Sequence, residues 1–252
     1  MKYLNKLSEQ NLRYFFSLLT LFVFFLSSYA FIDNSVFNRM TNDDCLWVEE
    51  YNGEKLKEGL FIIQVVPDGV TDKAGVKNGD ILYEINGKRF KDLKEAQLLI
   101  NAAETGDVLI YTIKRGNEVL KLSFKAYKFF NLYLIISFLV GMGFLFNGFI
   151  VGYSKPKEIT SQLFFFLGLT IAVSYSPALD YFSNYSAAVL IFYLVVRLIS
   201  SSFANPLFVH FFITYPIKYE FKKRKLVIWI IYIAGITIPL VSTLFKLGNA
   251  LP

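Results

Sequence analysis

Five long runs with at most one acidic or basic residue constrain this sequence more than any other feature. Residues 14–32, 129–154, 159–179 and 226–245 contain no Asp, Glu, Lys or Arg, and residues 181–217 contain only Arg197. A helix that crosses a bilayer needs roughly 20 mainly apolar residues, whereas runs of that length are unusual in soluble domains. The sequence therefore predicts an α-helical transmembrane bundle of about five spans.

The basic residues between these runs predict which side of the membrane each loop occupies. Residues 1–13 are basic, as are residues 218–225, so both segments are expected in the cytoplasm. Residues 33–128, after the first span, then lie outside the cytoplasm. An odd number of crossings must precede the second basic segment, so residues 181–217 are predicted to form one helix broken near Pro206.

The first apolar run, residues 14–32, has two readings. A cleaved signal peptide is one, with a weak cleavage signal, "SSYA", at residues 27–30. The run is longer than the apolar core of a usual signal peptide and lacks a clear A-x-A site. A retained membrane anchor is therefore favoured.

Residues 33–128 differ from the rest of the chain because they contain most acidic residues and the strongest turn signals. In order, the pattern predicts a strand at 59–66, a turn at 67–69, a helical turn at 70–75, a strand at 81–85, an amphipathic helix at 91–103 and two closing strands joined at 115–117. Asn86-Gly87 predicts a tight hairpin turn, because a type I′ turn needs positive φ at both central residues.

The segments "AGVKNGDILYEINGKRF" and "GDVLIYTIKRG", in this order around the predicted helix, resemble a bacterial PDZ domain of the HtrA-like type. The resemblance covers about residues 45–126. It implies an α+β fold for the insert: a small β-barrel-like sheet with a capping helix.

The same resemblance implies a peptide-binding site. PDZ domains add an extended peptide, usually a C-terminus, as a strand at a sheet edge. The residues that match the strand and its mouth are Gly59, Leu60, Phe61, Ile62, Ile63 and Gln64, and the expected pocket walls on the helix are Ala96 and Leu99.

Residues 206–216, "PLFVHFFITYP", resemble a short signature of the multi-spanning sensor regions that precede bacterial histidine kinases and SpoIIE-like phosphatases. His210 within it is the only histidine of the chain. One reading is a hydrogen bond to a neighbouring helix near Ser174, Tyr175 or Ser176; the other is intramembrane sensing of a proton or ligand. Arg197 is expected at the membrane interface or inside the bundle, with a part in intramembrane sensing as the alternative.

Several chemistries lack their sequence signals. A zinc protease of the H-E-x-x-H type needs two histidines, and the serine-hydrolase pattern near residues 152–155 lacks its final glycine. The single cysteine, Cys45, excludes an intramolecular disulfide. We expect no catalytic residues, no metal site, no cofactor and no nucleic-acid partner for these residues.

These observations predict a multi-pass protein of the bacterial inner membrane, with its PDZ domain outside the cytoplasm. The leading hypothesis is a sensory protein whose PDZ domain binds a peptide or protein C-terminus, as the front part of a kinase or phosphatase receptor. Its expected partners are membrane lipid and either a second copy of the chain or a cytoplasmic kinase or phosphatase. The alternative is a membrane-anchored PDZ adaptor for an envelope protease or assembly.

Overall fold

The computed structural model describes residues 6–56, 58–129, 131–177, 185–216 and 222–250, with residues 243–250 as backbone only. The helices are α1 (Glu9–Ile32), α2 (Val70–Lys73), α3 (Leu93–Asn101), α4 (Leu132–Ser154), α5 (Ile159–Tyr175), α6 (Ala187–Thr214) and α7 (Arg224–Ala250). The strands are β1 (Thr41–Asn42), β2 (Cys45–Val48), β3 (Glu50–Tyr51), β4 (Glu54–Lys55), β5 (Leu60–Val65), β6 (Ile81–Ile85), β7 (Lys88–Arg89), β8 (Val108–Arg115), β9 (Glu118–Lys125) and β10 (Tyr127–Lys128). The chain divides into two compact units. One unit contains the long helices, and the other consists chiefly of Asp33–Asn131.

Each of the apolar runs contains a long helix. Glu9–Phe37, Leu132–Ser154, Ala187–Thr214 and Arg224–Ser242 are long and apolar enough to cross a membrane. Helix α5 is also apolar, but its 17 residues extend only about 26 Å, slightly less than the hydrocarbon core of a bilayer. The predicted ends of the third and fourth spans fall partly outside the described residues. The crossings and the count of five therefore stay predictions.

The predicted break near Pro206 is wrong, because α6 continues through this residue from Ala187 to Thr214. Proline leaves the carbonyl of Ser202 without its usual intrahelical donor. Gly235 of α7 lies against this point: a Cβ on Gly235 would clash with the ring of Pro206 and lie 2.8 Å from the Ser202 oxygen. Close packing of α7 thus covers the altered turn, and the helix continues past it.

Glycines set the distance between α4 and α5. A Cβ on Gly168 of α5 would lie 2.5 Å from the carbonyl oxygen of Phe144 and 3.1 Å from the Cα of Gly148, both in α4. A Cβ on Gly152 would lie 2.8 Å from the Cβ of Phe165. Small residues at such positions let two membrane helices approach closely, so this interface depends on the absence of side chains.

The Asp33–Asn131 unit is built on an antiparallel sheet with strand order β2-β5-β6-β8-β9, and β7 pairs with β6. Two short strand pairs, β1 with β10 and β3 with β4, lie outside this sheet. Leu82, Ile85 and Tyr111 are fully buried in its core, together with Ala96 and Ile100 of α3. The insert is therefore a sheet covered by one helix, as predicted.

The turn chemistry of this unit follows the sequence closely. Asn86 and Gly87 have φ values of 53° and 72°, as a type I′ hairpin requires. Helix α3 begins two residues later than the pattern predicted, because Asp92 is its N-cap: the Asp92 carboxylate accepts a hydrogen bond of 2.8 Å from the Glu95 N–H. Capping at Asp92 fixes the start of the helix and the direction in which it leaves β7.

Candidate functional site

An open groove lies between β2 and α3. Strand β2 pairs with β5 along one edge, and in the part of the chain that the structure describes no strand pairs with its other edge. A cavity of about 300 Å³ is lined there by Leu46 and Trp47 of β2 and by Leu93 and Gln97 of α3. We call this cavity the β2–α3 groove. An unpaired strand edge beside a helix can accept an extended chain as one more strand.

The predicted binding strand is not at this groove. Residues 60–64 lie in β5 and Gly59 directly precedes it. This strand is an interior one: β5 pairs with β2 on one side and with β6 on the other. The Ile62 N–H donates to the Asp80 carbonyl, and the Val65 N–H donates to the Asn78 side chain. The binding role predicted for Gly59, Leu60, Phe61, Ile62, Ile63 and Gln64 is therefore wrong, because no edge of β5 is open to a ligand.

The helix residues predicted as pocket walls also face elsewhere. Ala96 is fully buried in the core, and neither Ala96 nor Leu99 belongs to the lining of the groove. Leu93 and Gln97, four residues apart and so on one side of α3, line the groove instead. The side of α3 that faces the groove therefore contains Leu93 and Gln97, and not the predicted Ala96 and Leu99.

Gly59 is required for packing, not for ligand approach. Its φ is +90°, and a Cβ would lie 2.7 Å from the Leu82 carbonyl oxygen of the neighbouring strand. The adjacent Glu58 forms an exposed ion pair of 3.1 Å with Arg89. Gly59 and the residue before it therefore serve contacts within the domain.

Hydrogen bonds hold the two sides of the groove together at its ends. At one end, the Leu93 N–H donates to the Glu49 carboxylate at 2.9 Å, which joins the start of α3 to the residue after β2. At the other end, the Thr41 N–H donates to the Asn101 side chain at 3.0 Å. The groove therefore has a fixed width before any ligand binds.

A buried carboxylate, Asp43, lies at the start of β2 and lines the groove. It is 4% exposed. Its Oδ2 accepts hydrogen bonds from the Trp47 indole at 2.9 Å, the Tyr111 hydroxyl at 2.6 Å and the Cys45 thiol at 3.0 Å. The carboxylate thus links β2 to β8 across the sheet, a role that the sequence reasoning did not predict.

The Asp43 cluster also changes the chemistry of its neighbours. Burial, and then the negative charge of Asp43, raise the pKa of the Cys45 thiol far above its usual value. The same causes, in the same order, raise the pKa of Tyr111. Both groups stay protonated at neutral pH, so both can donate to Asp43.

Two connecting segments complete one end of the groove. Met40, shortly after the π-helical turn Asp33–Phe37, and Phe129, shortly before α4, are both part of its lining. Between them, β1 and β10 pair, with Thr41 opposite Lys128. The groove therefore adjoins the two segments through which the chain continues into α1 and α4.

In the helical unit, the two polar residues singled out from the sequence bond to neighbouring helices. The Nδ1 atom of His210 lies 3.1 Å from the Tyr232 hydroxyl of α7, not near Ser174–Ser176. Arg197 donates to the Ser176 carbonyl at 2.6 Å. His210 and Tyr232 also border an apolar cavity of about 860 Å³ among α1, α5, α6 and α7.

Comparison with known proteins identifies the insert. The family model of the PDZ domain matches residues 43–125. Serine protease HTRA1 of Xenopus laevis is 37% identical over 65 residues, which are 26% of this chain and 14% of that protein. Serine protease Do-like HtrA of Lactobacillus helveticus is 29% identical over 63 residues, or 25% and 15% of the two chains. The prediction of an HtrA-type PDZ domain is confirmed.

A solved structure, the HtrA3 PDZ domain bound to a phage-derived ligand (FGRWV), aligns with 34% of this chain and 84% of its own, at 20% identity and a TM-score of 0.30. The present chain spans only about 15% of the length of the curated relatives that it matches. The similarity therefore describes one domain and leaves the function of the whole chain to be proposed.

Proposed function

We propose that this chain is a multi-pass protein of the bacterial inner membrane whose PDZ domain, outside the cytoplasm, binds an extended peptide in the β2–α3 groove. The observation that carries the proposal is the open edge of β2 beside Leu93 and Gln97 of α3. A peptide added there gains backbone hydrogen bonds from the strand, and its alternate side chains meet the groove.

We propose further that peptide binding is sensed by the helices. The groove shares Met40 and Phe129 with the segments that continue into α1 and α4. A ligand that favours one position of these segments shifts the balance between two helix arrangements, provided that it binds one arrangement better. The resemblance of residues 206–216 to bacterial sensor regions supports this role, with a kinase or phosphatase, or a second copy of the chain, as effector.

An adaptor that presents peptides to an envelope protease or assembly is the alternative. The protease names of the relatives fit it loosely. Crosslinking β1 to β10, the paired strands through which the chain continues into α1 and α4, with and without bound peptide distinguishes the two functions. An adaptor binds its peptide without any effect on α1 and α4, whereas a sensor changes the distance between these helices when peptide binds.

Replacing Leu46 by arginine should abolish peptide binding at the groove. Leu46 is 51% exposed and lines the groove, so the larger charged side chain obstructs the ligand without disturbing the core. We expect phage that display random decapeptides to be recovered at least about tenfold less on the Leu46→Arg variant of the full chain in lipid nanodiscs, a loss typical of a central interface contact. Val119→Arg, at a 68% exposed position of β9, is the matched control. Equal recovery on both variants would place binding elsewhere.

The orientation of the PDZ domain can be tested by cysteine labelling in spheroplasts. We expect a membrane-impermeant maleimide to label Val119→Cys, made in a Cys45→Ser background, because residue 119 is exposed. Native Cys45 should react at least about 100-fold more slowly, since only the thiolate reacts and the pKa of this thiol is raised. Labelling of the residue 119 cysteine only after the membrane is opened would place the domain in the cytoplasm.

A further inference from the structure

The direction of a bound peptide follows from the sheet. Every pairing of β2, β5, β6, β8 and β9 is antiparallel, so an added strand is expected to run antiparallel to β2. The start of β2 lies at the Asn101 end of α3, as the Thr41–Asn101 hydrogen bond shows. The C-terminal end of an added peptide would therefore meet residues 41–45.

Three backbone N–H groups at this end, those of Thr41, Asp44 and Cys45, are already occupied. The Thr41 N–H donates to Asn101, the Asp44 N–H to the Asn42 side chain at 3.1 Å, and the Cys45 N–H to Asp43 at 3.3 Å. Capture of a terminal carboxylate depends on unoccupied backbone N–H groups. Here side chains of the domain take the place that a ligand carboxylate would need.

Two carboxylates at this end oppose a ligand carboxylate as well, and the Lys128 ammonium that also lies at this end donates to the Asn101 carbonyl at 2.8 Å and not to either of them. Asp43 and Asp44 are adjacent, and the donors that hold the Asp44 carboxylate, the Tyr127 hydroxyl at 2.6 Å, the Asn42 amide at 2.9 Å and the Val70 N–H at 3.0 Å, are neutral. The donors to Asp43 are neutral too. Burial, and then the hydrogen bond to Asp44 and the charges of Asp44 and Asp43, raise the pKa of Tyr127 to about 12.

We infer that the β2–α3 groove takes an internal extended segment of its ligand, with a lysine or arginine where the segment passes Asp43, and does not capture a free C-terminus. This inference rests on the proposed peptide binding and names the class of peptide. A basic side chain supplies a cation to the buried Asp43, which forms no ion pair among the residues that the structure describes, and an internal segment brings no terminal charge to this end.

Two phage libraries test the inference on the full chain in nanodiscs. In one library random decapeptides end in a free carboxylate; in the other the same decapeptides lie between two constant domains. For each library, the phage recovered on the Leu46→Arg variant are subtracted from those recovered on the native chain. Only ligands of the groove then contribute to the count. We expect at least about tenfold enrichment from the internal library, with lysine and arginine over-represented, and little from the other.

Each other outcome has a distinct meaning. Enrichment from the free-carboxylate library alone, or equal enrichment from both without a basic preference, overturns the inference and leaves peptide binding standing. No groove-dependent enrichment from either library overturns the proposed function itself, and the inference with it.

A matched pair of synthetic peptides measures the charge effect directly. Both peptides have the sequence of one selected decapeptide up to and including its basic residue. One ends there in a C-terminal amide, and the other in a C-terminal carboxylate. We expect the carboxylate form to bind at least about threefold more weakly at low salt, and the difference to shrink at high salt. Tighter binding of the carboxylate form would contradict the inference.

Discussion

Replacing Asp43 by alanine should destabilise the PDZ domain by about 2–5 kcal/mol, a large fraction of the stability of a marginally stable domain. The Trp47 indole and the Tyr111 hydroxyl are buried and donate to this carboxylate. Without it, two buried donors lose their acceptor, at about 1–3 kcal/mol each. Denaturant unfolding of the full chain in detergent measures the effect, with Trp47 fluorescence recorded in a Trp229→Phe background.

Two variants make this result specific. Glu54→Ala removes an exposed carboxylate from the β3–β4 pair and should change the free energy of unfolding by less than about 0.5 kcal/mol. Asp43→Asn keeps one oxygen as an acceptor and should lie between Glu54→Ala and Asp43→Ala. A loss below about 1 kcal/mol for Asp43→Ala would show that these hydrogen bonds do not hold the start of β2 in place.

The same carboxylate shows where sequence reasoning stops. The turns at Asn86-Gly87 and the strand Ile81–Ile85 were predicted correctly, because neighbouring residues determine both. Asp43 bonds to Tyr111, which is 68 positions away in sequence. An aspartate before a four-residue strand has the pattern of a loop. Only the folded sheet brings its buried partners together.

The position of the groove was missed for a related reason. Residues 59–66 have a stronger strand pattern than β2, so they were predicted to be the binding strand. A strong apolar strand pattern, however, indicates a buried interior strand as readily as an open edge strand. On α3, Leu93, Ala96 and Leu99 are all apolar. Periodicity therefore does not tell the core side of this short helix from the groove side.

In the helical unit, uncharged runs located the helices but did not indicate their packing. A helix that is apolar on every side gives no preferred face. The residue that packs against Pro206 of α6 is Gly235, which follows it by 29 positions in sequence. The short distance between α4 and α5 depends likewise on glycines that resemble ordinary membrane-helix residues until their neighbours are known.

Replacing Gly168 by leucine should separate α4 from α5 and destabilise the helical unit by about 3 kcal/mol or more, at or beyond the upper end for overpacking. Even the first carbon of the new side chain would lie 2.5 Å from the Phe144 carbonyl oxygen, an atom of the helix backbone. A flexible side chain can rotate away from such a contact, but a backbone oxygen moves only with its helix. Thermal unfolding of the purified chain in detergent, followed by helical circular dichroism, measures the loss.

Gly143→Leu is the matched control, because a Cβ at Gly143 of α4 has nothing within 4 Å. Leucine is a better helix former than glycine, so this variant should be unchanged or slightly more stable, by up to about 1 kcal/mol. If both variants lowered stability equally, added bulk on these helices would be the cause and not the Gly168–Phe144 contact. If Gly168→Leu alone is destabilising, α4 and α5 pack as a close pair.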